Sequence, residues 1–432
     1  MQCGLNRAPT PLVARKSRVV AARVASTDAG VGQVALGKTG EEEALVCLAI
    51  GVGGAGGGRV APTPTPTPTP AAATHPLPTA QKTIRHTSSL PTTKKHTHKT
   101  GLKIAPLGVG AWSWGDRSAY WGYGKSYGKD DNKQAFDELQ ALAKAGKIPG
   151  GAAFIDTAEV YGYGESERFV GEFVKADASG APPPFVCTKF APLPWRVTQS
   201  QVLSAAKASA ERLQAQQIDL YIQHWPGFFT SGFSNDSFLE GLADVADAGL
   251  ARALGSSNFN ASRVRAAADA LERRGHCLSS NQVQYSLLYR APETNGVLEA
   301  CRERGVTLVA YSPLCQGLLT GKYVPGAPLP TGPRAAIYRQ KIGEIARLLD
   351  LMRIVGEARG GKTPGQVALN WLMCSPKNGA AGVVPIPGAK NAAQLRDLVG
   401  ACDWRLSGAE WDELDKESLK VKPPLGAPFE NW

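Results

Sequence analysis

The chain has 432 residues, 43% of them hydrophobic and 20% charged, with a formal net charge of +11. That length suits two or three average domains or one elaborated barrel, and no run approaches the roughly 18 to 20 apolar residues of a membrane helix, which predicts a soluble protein. The positive balance does not argue for a nucleic-acid partner, because residues 1–100 hold twelve Lys and Arg against four Asp and Glu, while the remainder hold 36 against 33.

Residues 1–27 contain five basic residues and no acidic one, and LVARKSRVVAARVAS has the basic, Ala/Val-rich pattern of an organelle transit peptide. Composition alone suits a chloroplast and a mitochondrion nearly equally. Residues 28–100, with APTPTPTPTP and TTKKHTHKT, hold too few large apolar side chains for a core, so a low-complexity, disordered linker is expected. Two phosphate-loop lookalikes lie here: GQVALGKT from Gly32 to Thr39, which includes Lys38, and GVGGAG from Gly51 to Gly56. A working P-loop needs a buried strand before it and a helix after it. Neither flank provides them, so a P-loop nucleotide-binding protein is only a remote alternative. The eight cysteines form no CxxC pair and sit mostly in apolar contexts, as at Cys187 and Cys301. They read as reduced thiols. His96 and His98 lack a third ligand, and no metal site is expected.

From residue 101 onward, apolar runs of five to eight residues alternate with amphipathic stretches of ten to twenty, the βαβα pattern of a parallel sheet. The 101–432 segment therefore predicts a single α/β domain, a (β/α)8 TIM barrel. Strands are expected near 106–111, 153–157, 185–189, 218–224, 252–256, 280–285, 306–311 and 382–386. Helices fit between them, for example at 130–145, 198–216, 237–248, 260–274, 293–304, 339–359 and 363–374, with another near 391–399. In 198–216, Val202, Ala205, Ala206, Ala208 or Ser209, and Leu213 form an apolar stripe of helical period, while Gln199, Lys207 and Glu211 fall outside it.

Three strand-like runs end in polar side chains. FID stops on Asp156, FVCTK on Lys189, and DLYIQHW on His224 and Trp225; Tyr161 follows Asp156 in a Gly-rich turn. Such strand ends are where a barrel builds its site. A tyrosine is a weak acid, but a neighbouring ammonium stabilises its phenolate and pulls its pKa toward the working range. Asp156 can hold Lys189 charged and in place. A neutral His224 can then orient a carbonyl oxygen toward Tyr161. The four suit protonation of an oxyanion as hydride adds to an aldehyde or ketone.

At these residues the chain resembles the aldo-keto reductase family, over roughly 101 to 418. The matching runs, in order, are LGVGAWSWG, FIDTAEVYG, TKFAPLPWR, DLYIQHWPG, LGSSNF, SNQVQYS, VAYSPLCQGLLTGKY and VVPIPGAKN. It is most similar to the plant-type chloroplast branch, which favours the chloroplast stroma over the mitochondrion as the destination.

The resemblance implies catalytic Asp156, Tyr161, Lys189 and His224, an NADP(H) cofactor and a small-molecule carbonyl substrate, with no nucleic-acid or membrane partner. It places Trp112 and Trp225 at the substrate pocket, with Trp114 and Trp121 as weaker wall residues. It implies that Ser257, Asn258 and Gln282 bond the nicotinamide carboxamide and that Tyr311 stacks on its ring. The backbone of Ser312, Pro313 and Leu314, with Gln316 and Leu319, is implied around the pyrophosphate and ribose. Gly388, Lys390, Asn391 and Gln394 are implied at the adenosine end. There the chain departs from the family pattern, carrying Asp397 and Leu398 where Glu-Asn is common. A cofactor-sensing, non-catalytic subunit of the same fold is the alternative function.

Overall fold

The computed structural model describes residues 96–97, 103–118, 120–227, 235–326, 328–329, 334–378 and 382–423. The expected transit peptide, most of the expected linker and both phosphate-loop lookalikes lie outside these residues. A short antiparallel pair joins His96–Thr97 to Lys103–Ile104. The expected boundary at Gly101 falls inside this pair.

Eight parallel strands follow: β1 (Val109–Gly110), β2 (Phe154–Asp156), β3 (Phe185–Phe190), β4 (Ile218–Gln223), β5 (Ala251–Ser257), β6 (Leu278–Gln284), β7 (Thr307–Tyr311) and β8 (Val383–Pro385). Each pairs with its sequence neighbours. Gly108 N–H donates to the Pro385 carbonyl at 2.9 Å and Gly110 N–H to the Pro387 carbonyl at 3.0 Å, which brings the first strand to the last. The sheet thus closes as the expected (β/α)8 barrel, and its strand ends share one mouth.

The helices packed around it include α1 (Lys129–Lys144), α2 (Glu165–Lys175), α3 (Gln199–Leu213), α4 (Asp236–Asp247), α5 (Ala261–Arg273), α6 (Val297–Arg304), α7 (Ala346–Ala358), α8 (Pro364–Met373), α9 (Ala392–Val399) and α10 (Gly408–Ser418). In α3 the predicted stripe is buried, with Ser209 and not Ala208 on its buried face, and the helix stops at Gln214, whose φ of 53° is left-handed. At the start of α8, Thr363 accepts from Gln366 N–H while the Gln366 side chain accepts from Thr363 N–H, a capping box with Pro364 at the first turn.

Two expected helices prove to be broken. The 293–304 stretch divides into Ala291–Thr294 and α6 at Gly296, whose φ of 81° ends a helix easily only for glycine. The 339–359 stretch divides into Arg334–Lys341 and α7. Two helices, α2 and α10, lie outside the ranges named from the sequence. Only eleven residues long, α2 leaves a Gly-rich turn that reads as loop, and its buried stripe of Phe169, Val170 and Phe173 is short. In α10, Trp411 stacks on Trp371 of α8 at 5.3 Å and 4°, while Arg290 pairs with both Glu293 and Asp415. That contact between distant segments docks a helix whose own pattern is weak.

Candidate active site

Lys189 ends up fully buried near the end of β3, and its ammonium has three protons to place. They go to Asp156 Oδ2 at 2.7 Å, the Thr157 carbonyl at 2.6 Å and Tyr161 Oη at 3.3 Å. The other Asp156 oxygen accepts from Gln282 Nε2 at 2.7 Å. Because the Tyr161 oxygen accepts from Lys189, its own proton remains to be given elsewhere. The His224 ring stands edge-on to the Tyr161 ring at 5.6 Å. The structure thus brings Asp156, Tyr161, Lys189 and His224 together at the mouth.

Local backbone explains how Tyr161 gets there. It opens a tight 3-10 turn, Tyr161–Gly164, in which Gly162 and Tyr163 have φ of 56° and 58°. A Cβ at Gly162 would lie 2.2 Å from the Gly115 carbonyl, so only glycine lets this turn press against the loop after β1.

Electrostatics differ from expectation at Tyr161. Burial pushes its pKa up to about 12 against the opposing pull of Lys189. The phenol is therefore a protonated donor at neutral pH, and Lys189 limits the rise without reversing it. Burial opposes the charge on Lys189 itself, but Asp156, with Tyr161 and Cys187, outweighs burial and holds the ammonium above its ordinary pKa. At His224, burial and then the positive charge of Lys189 hold the pKa well below the usual value, so the ring is neutral. His224 Nδ1 is buried with no hydrogen-bond partner among the described residues.

Trp112 is half-buried and lies between Tyr120, at 5.6 Å and 16°, and Tyr161, at 6.2 Å and 28°. Trp121 meets it edge-on at 5.2 Å. These rings form a flat-sided wall beside the phenol. Trp225 is fully buried, packed with Ala158, Val160, Tyr161 and Ala191, so it backs the wall and does not surface it. Trp114 is no wall residue either; it is fully buried and its Nε1 donates to the Ala389 carbonyl at 2.8 Å.

The residues expected to hold the cofactor fall on the ends and following loops of β5 to β8. Ser257 Oγ donates to the Gln282 carbonyl at 2.8 Å, and Asn258, with φ of 59°, donates to the His224 carbonyl at 3.0 Å. The half-buried Tyr311 donates its hydroxyl to Asn258 Oδ1 at 3.0 Å. After β7, Ser312, Cys315, Gln316 and Gly317 have φ of 49°, 47°, 56° and 106°, which curls the backbone around Pro313 and Leu314 into a cradle. Leu314 and Leu319 point into the core, so their share in any ligand contact is backbone only. Gln316 Oε1 accepts from Tyr120 Oη at 2.5 Å, a contact across 196 residues with no sequence signal.

Gly388 pairs with Gly110. Lys390 Nζ donates to the Trp121 carbonyl and lies 4.4 Å from the Tyr127 ring centroid. Asn391 caps α9 by accepting from Gln394 N–H at 3.0 Å, and the Gln394 side chain accepts from Lys390 N–H at 2.9 Å. Asp397 accepts from Thr363 Oγ1 at 2.9 Å, and Leu398 is core. Both positions that depart from the family pattern are therefore used inside the fold. Sequence reasoning also passed over Glu159 and Arg196, which bridge the loops carrying Tyr161 and following Lys189. Their only signal was position, inside FIDTAEVYG and TKFAPLPWR.

A model of the Aldo/keto reductase family matches residues 106–418. A chloroplastic pyridoxal reductase of Arabidopsis thaliana is 38% identical over 330 residues, which is 74% of this chain and 85% of that one. An NADP(+) aldo-keto reductase of Schizosaccharomyces pombe is 31% identical over 65% of this chain and 82% of its own length. Among solved structures, an aldo-keto reductase of Klebsiella pneumoniae in complex with NADPH superposes with a TM-score of 0.55 at 25% identity, covering 77% of this chain and 96% of that one.

Proposed function

Since this chain belongs to the aldo/keto reductase family, we propose that it reduces a flat aldehyde of the pyridoxal class in the chloroplast stroma. The reaction is NADPH-dependent carbonyl reduction. The donor set fits the cofactor: the amides of Asn258 and Gln282 match a carboxamide, the left-handed cradle after β7 offers backbone N–H groups, and Lys390 offers a cation for a phosphate. Bound there, NADPH supplies the hydride that adds to the carbonyl carbon.

The chain's residues handle the oxygen. The carbonyl is oriented by neutral His224 and takes the Tyr161 proton as charge develops on it. Lys189, held by Asp156, stabilises the phenolate left behind. The single observation that carries this reading is that Lys189 donates to Tyr161, which leaves the phenol its proton. The parallel Trp112, Tyr120 and Tyr161 rings favour a planar substrate, because offset stacking rewards a flat partner. The destination rests on the basic leader and on the chloroplastic relative.

The test is loss of NADPH absorbance on mixing purified protein with pyridoxal, a benzaldehyde, an aliphatic aldehyde and an aldose. Preference for the two planar aldehydes is expected. Equal turnover of all four would remove the substrate assignment, and turnover of none would favour a cofactor-sensing binding subunit.

A further inference from the structure

Glu159 lies between Asp156 and Tyr161, and Arg196 lies seven residues beyond Lys189. Neither belongs to the group that handles the carbonyl. Glu159 Oε1 accepts from Ala191 N–H at 2.6 Å and from Arg196 Nη1, and its Oε2 accepts from Arg196 Nη2 at 3.2 Å. The pair is forked, and it is sheltered: the side chains are 8% and 22% exposed. Arg196 Nη1 also donates to the Ala191 carbonyl at 3.0 Å, and the guanidinium lies 5.3 Å from the Phe190 ring centroid.

This ion pair sits where the strand ladder gives out. The last backbone contact between the two segments, Glu159 N–H to the Lys189 carbonyl, is stretched to 3.5 Å. Beyond it, among the described residues, the polar links between the Tyr161 loop and the segment after Lys189 all run through the Glu159 carboxylate. Ala191, which that carboxylate grips, packs in one cluster with Tyr161, Val160 and Trp225.

We propose that Glu159 and Arg196 are positioning residues for carbonyl reduction, their forked ion pair holding the Tyr161 loop against the end of β3 and so setting the separation of the Tyr161 hydroxyl from the Lys189 ammonium. The proposal rests on the reading of Tyr161 as proton donor. A fork is needed because it fixes an angle as well as a distance, which a lysine cannot reproduce. Misplacing a reacting group by an ångström lowers a rate by about a hundredfold.

The test uses Arg196→Met, Arg196→Lys and Glu159→Gln in the full chain. For Arg196→Met, kcat should fall roughly 10- to 100-fold. The KM for the aldehyde and the Kd for NADPH should stay within about twofold, as expected of residues that act only through the placing of Tyr161. The solvent deuterium isotope effect on kcat should rise as proton transfer becomes limiting, and Arg196→Lys should lie between Arg196→Met and the natural chain. The ring-carbon resonance of Tyr161, identified by its loss in Tyr161→Phe, should move in all three variants, and this readout needs no turnover. If the wild-type chain turns over no aldehyde, the functional reading fails while a moved resonance still supports the positioning role. An unmoved Tyr161 resonance would overturn the proposal. So would a kcat loss that merely tracks the folded fraction, with the isotope effect unchanged.

Discussion

Two ion pairs with buried carboxylates flank β3, one on each face of the barrel wall. Lys189 points to the mouth and binds Asp156; its neighbour Thr188 points outward and donates at 2.5 Å to Glu167 of α2, which also accepts from Arg212 of α3 at 2.5 Å. Successive strand residues face opposite ways, so one strand serves both. Each pair joins a buried carboxylate to a cation and has a hydroxyl hydrogen-bonded to it. They differ in what the hydroxyl does. Thr188 spends its proton on Glu167, whereas Tyr161 accepts from Lys189 and faces a half-buried aromatic wall with its proton unspent. Burial and pairing alone therefore do not set the proposed proton donor apart from Thr188; the direction of the hydrogen bond to the hydroxyl does.

The largest separation of the two pairs should come from kinetics. Tyr161→Phe should lower kcat by about 10²- to 10⁴-fold, the range for loss of a general acid, with the NADPH Kd unchanged. Lys189→Met should be comparably inactive in the same steady-state assay, because Lys189 opposes the rise in the Tyr161 pKa that burial imposes. Glu167→Gln should leave kcat per folded molecule intact.

Stability should separate them the other way. Arg212→Met strands the buried Glu167 carboxylate and should cost about 3 to 5 kcal/mol in urea unfolding, as for other broken buried pairs. Tyr161→Phe should barely move that midpoint. A large stability loss in Tyr161→Phe, or a large kcat loss in Arg212→Met, would erase the distinction.

A smaller effect is expected at the cofactor end. Lys390→Ala should weaken NADPH binding by about tenfold, the lower end for a charge-assisted contact, since binding also releases Lys390 from the Trp121 carbonyl. NADH binding should be nearly unchanged, and the loss should shrink at high salt. Equal losses for both cofactors, measured by fluorescence titration, would make Lys390 a strut for the aromatic loop. Arg396, the other cation nearby in sequence, pairs with Glu138 of α1 at 3.0 Å.

The smallest effect is a pH slope. Burial raises the Glu167 pKa against the pull of Arg212, so its contribution to stability is present below its unfolded pKa and is lost as pH rises through the folded value. Glu293 has the opposite sign: burial opposes its charge, but Arg290, Lys377 and Tyr285 hold its pKa below the ordinary value. Its contribution is present above the unfolded pKa and is lost as pH falls through the folded one. Melting temperature against pH should therefore lose a mildly acidic decline in Glu167→Gln and a more acidic one in Glu293→Gln. The same change in both variants would contradict the assigned signs.

Sequence alone determined the alternation of strand and helix, the polar strand ends at Asp156, Lys189 and His224, and the residue types around them. These are local matters, because side-chain period and strand-end chemistry are written in consecutive residues. Only the tertiary structure decided the rest. Asp156 meets Gln282 across 126 positions because the barrel closes in one register. Tyr161 is driven up to about 12 because its loop is buried beneath rings from another loop. Leu398 became core and Asp397 a partner of Thr363 because α9 docks on α8. Burial and long-range pairing depend on which surfaces meet after folding, and no run of neighbouring residues specifies that meeting.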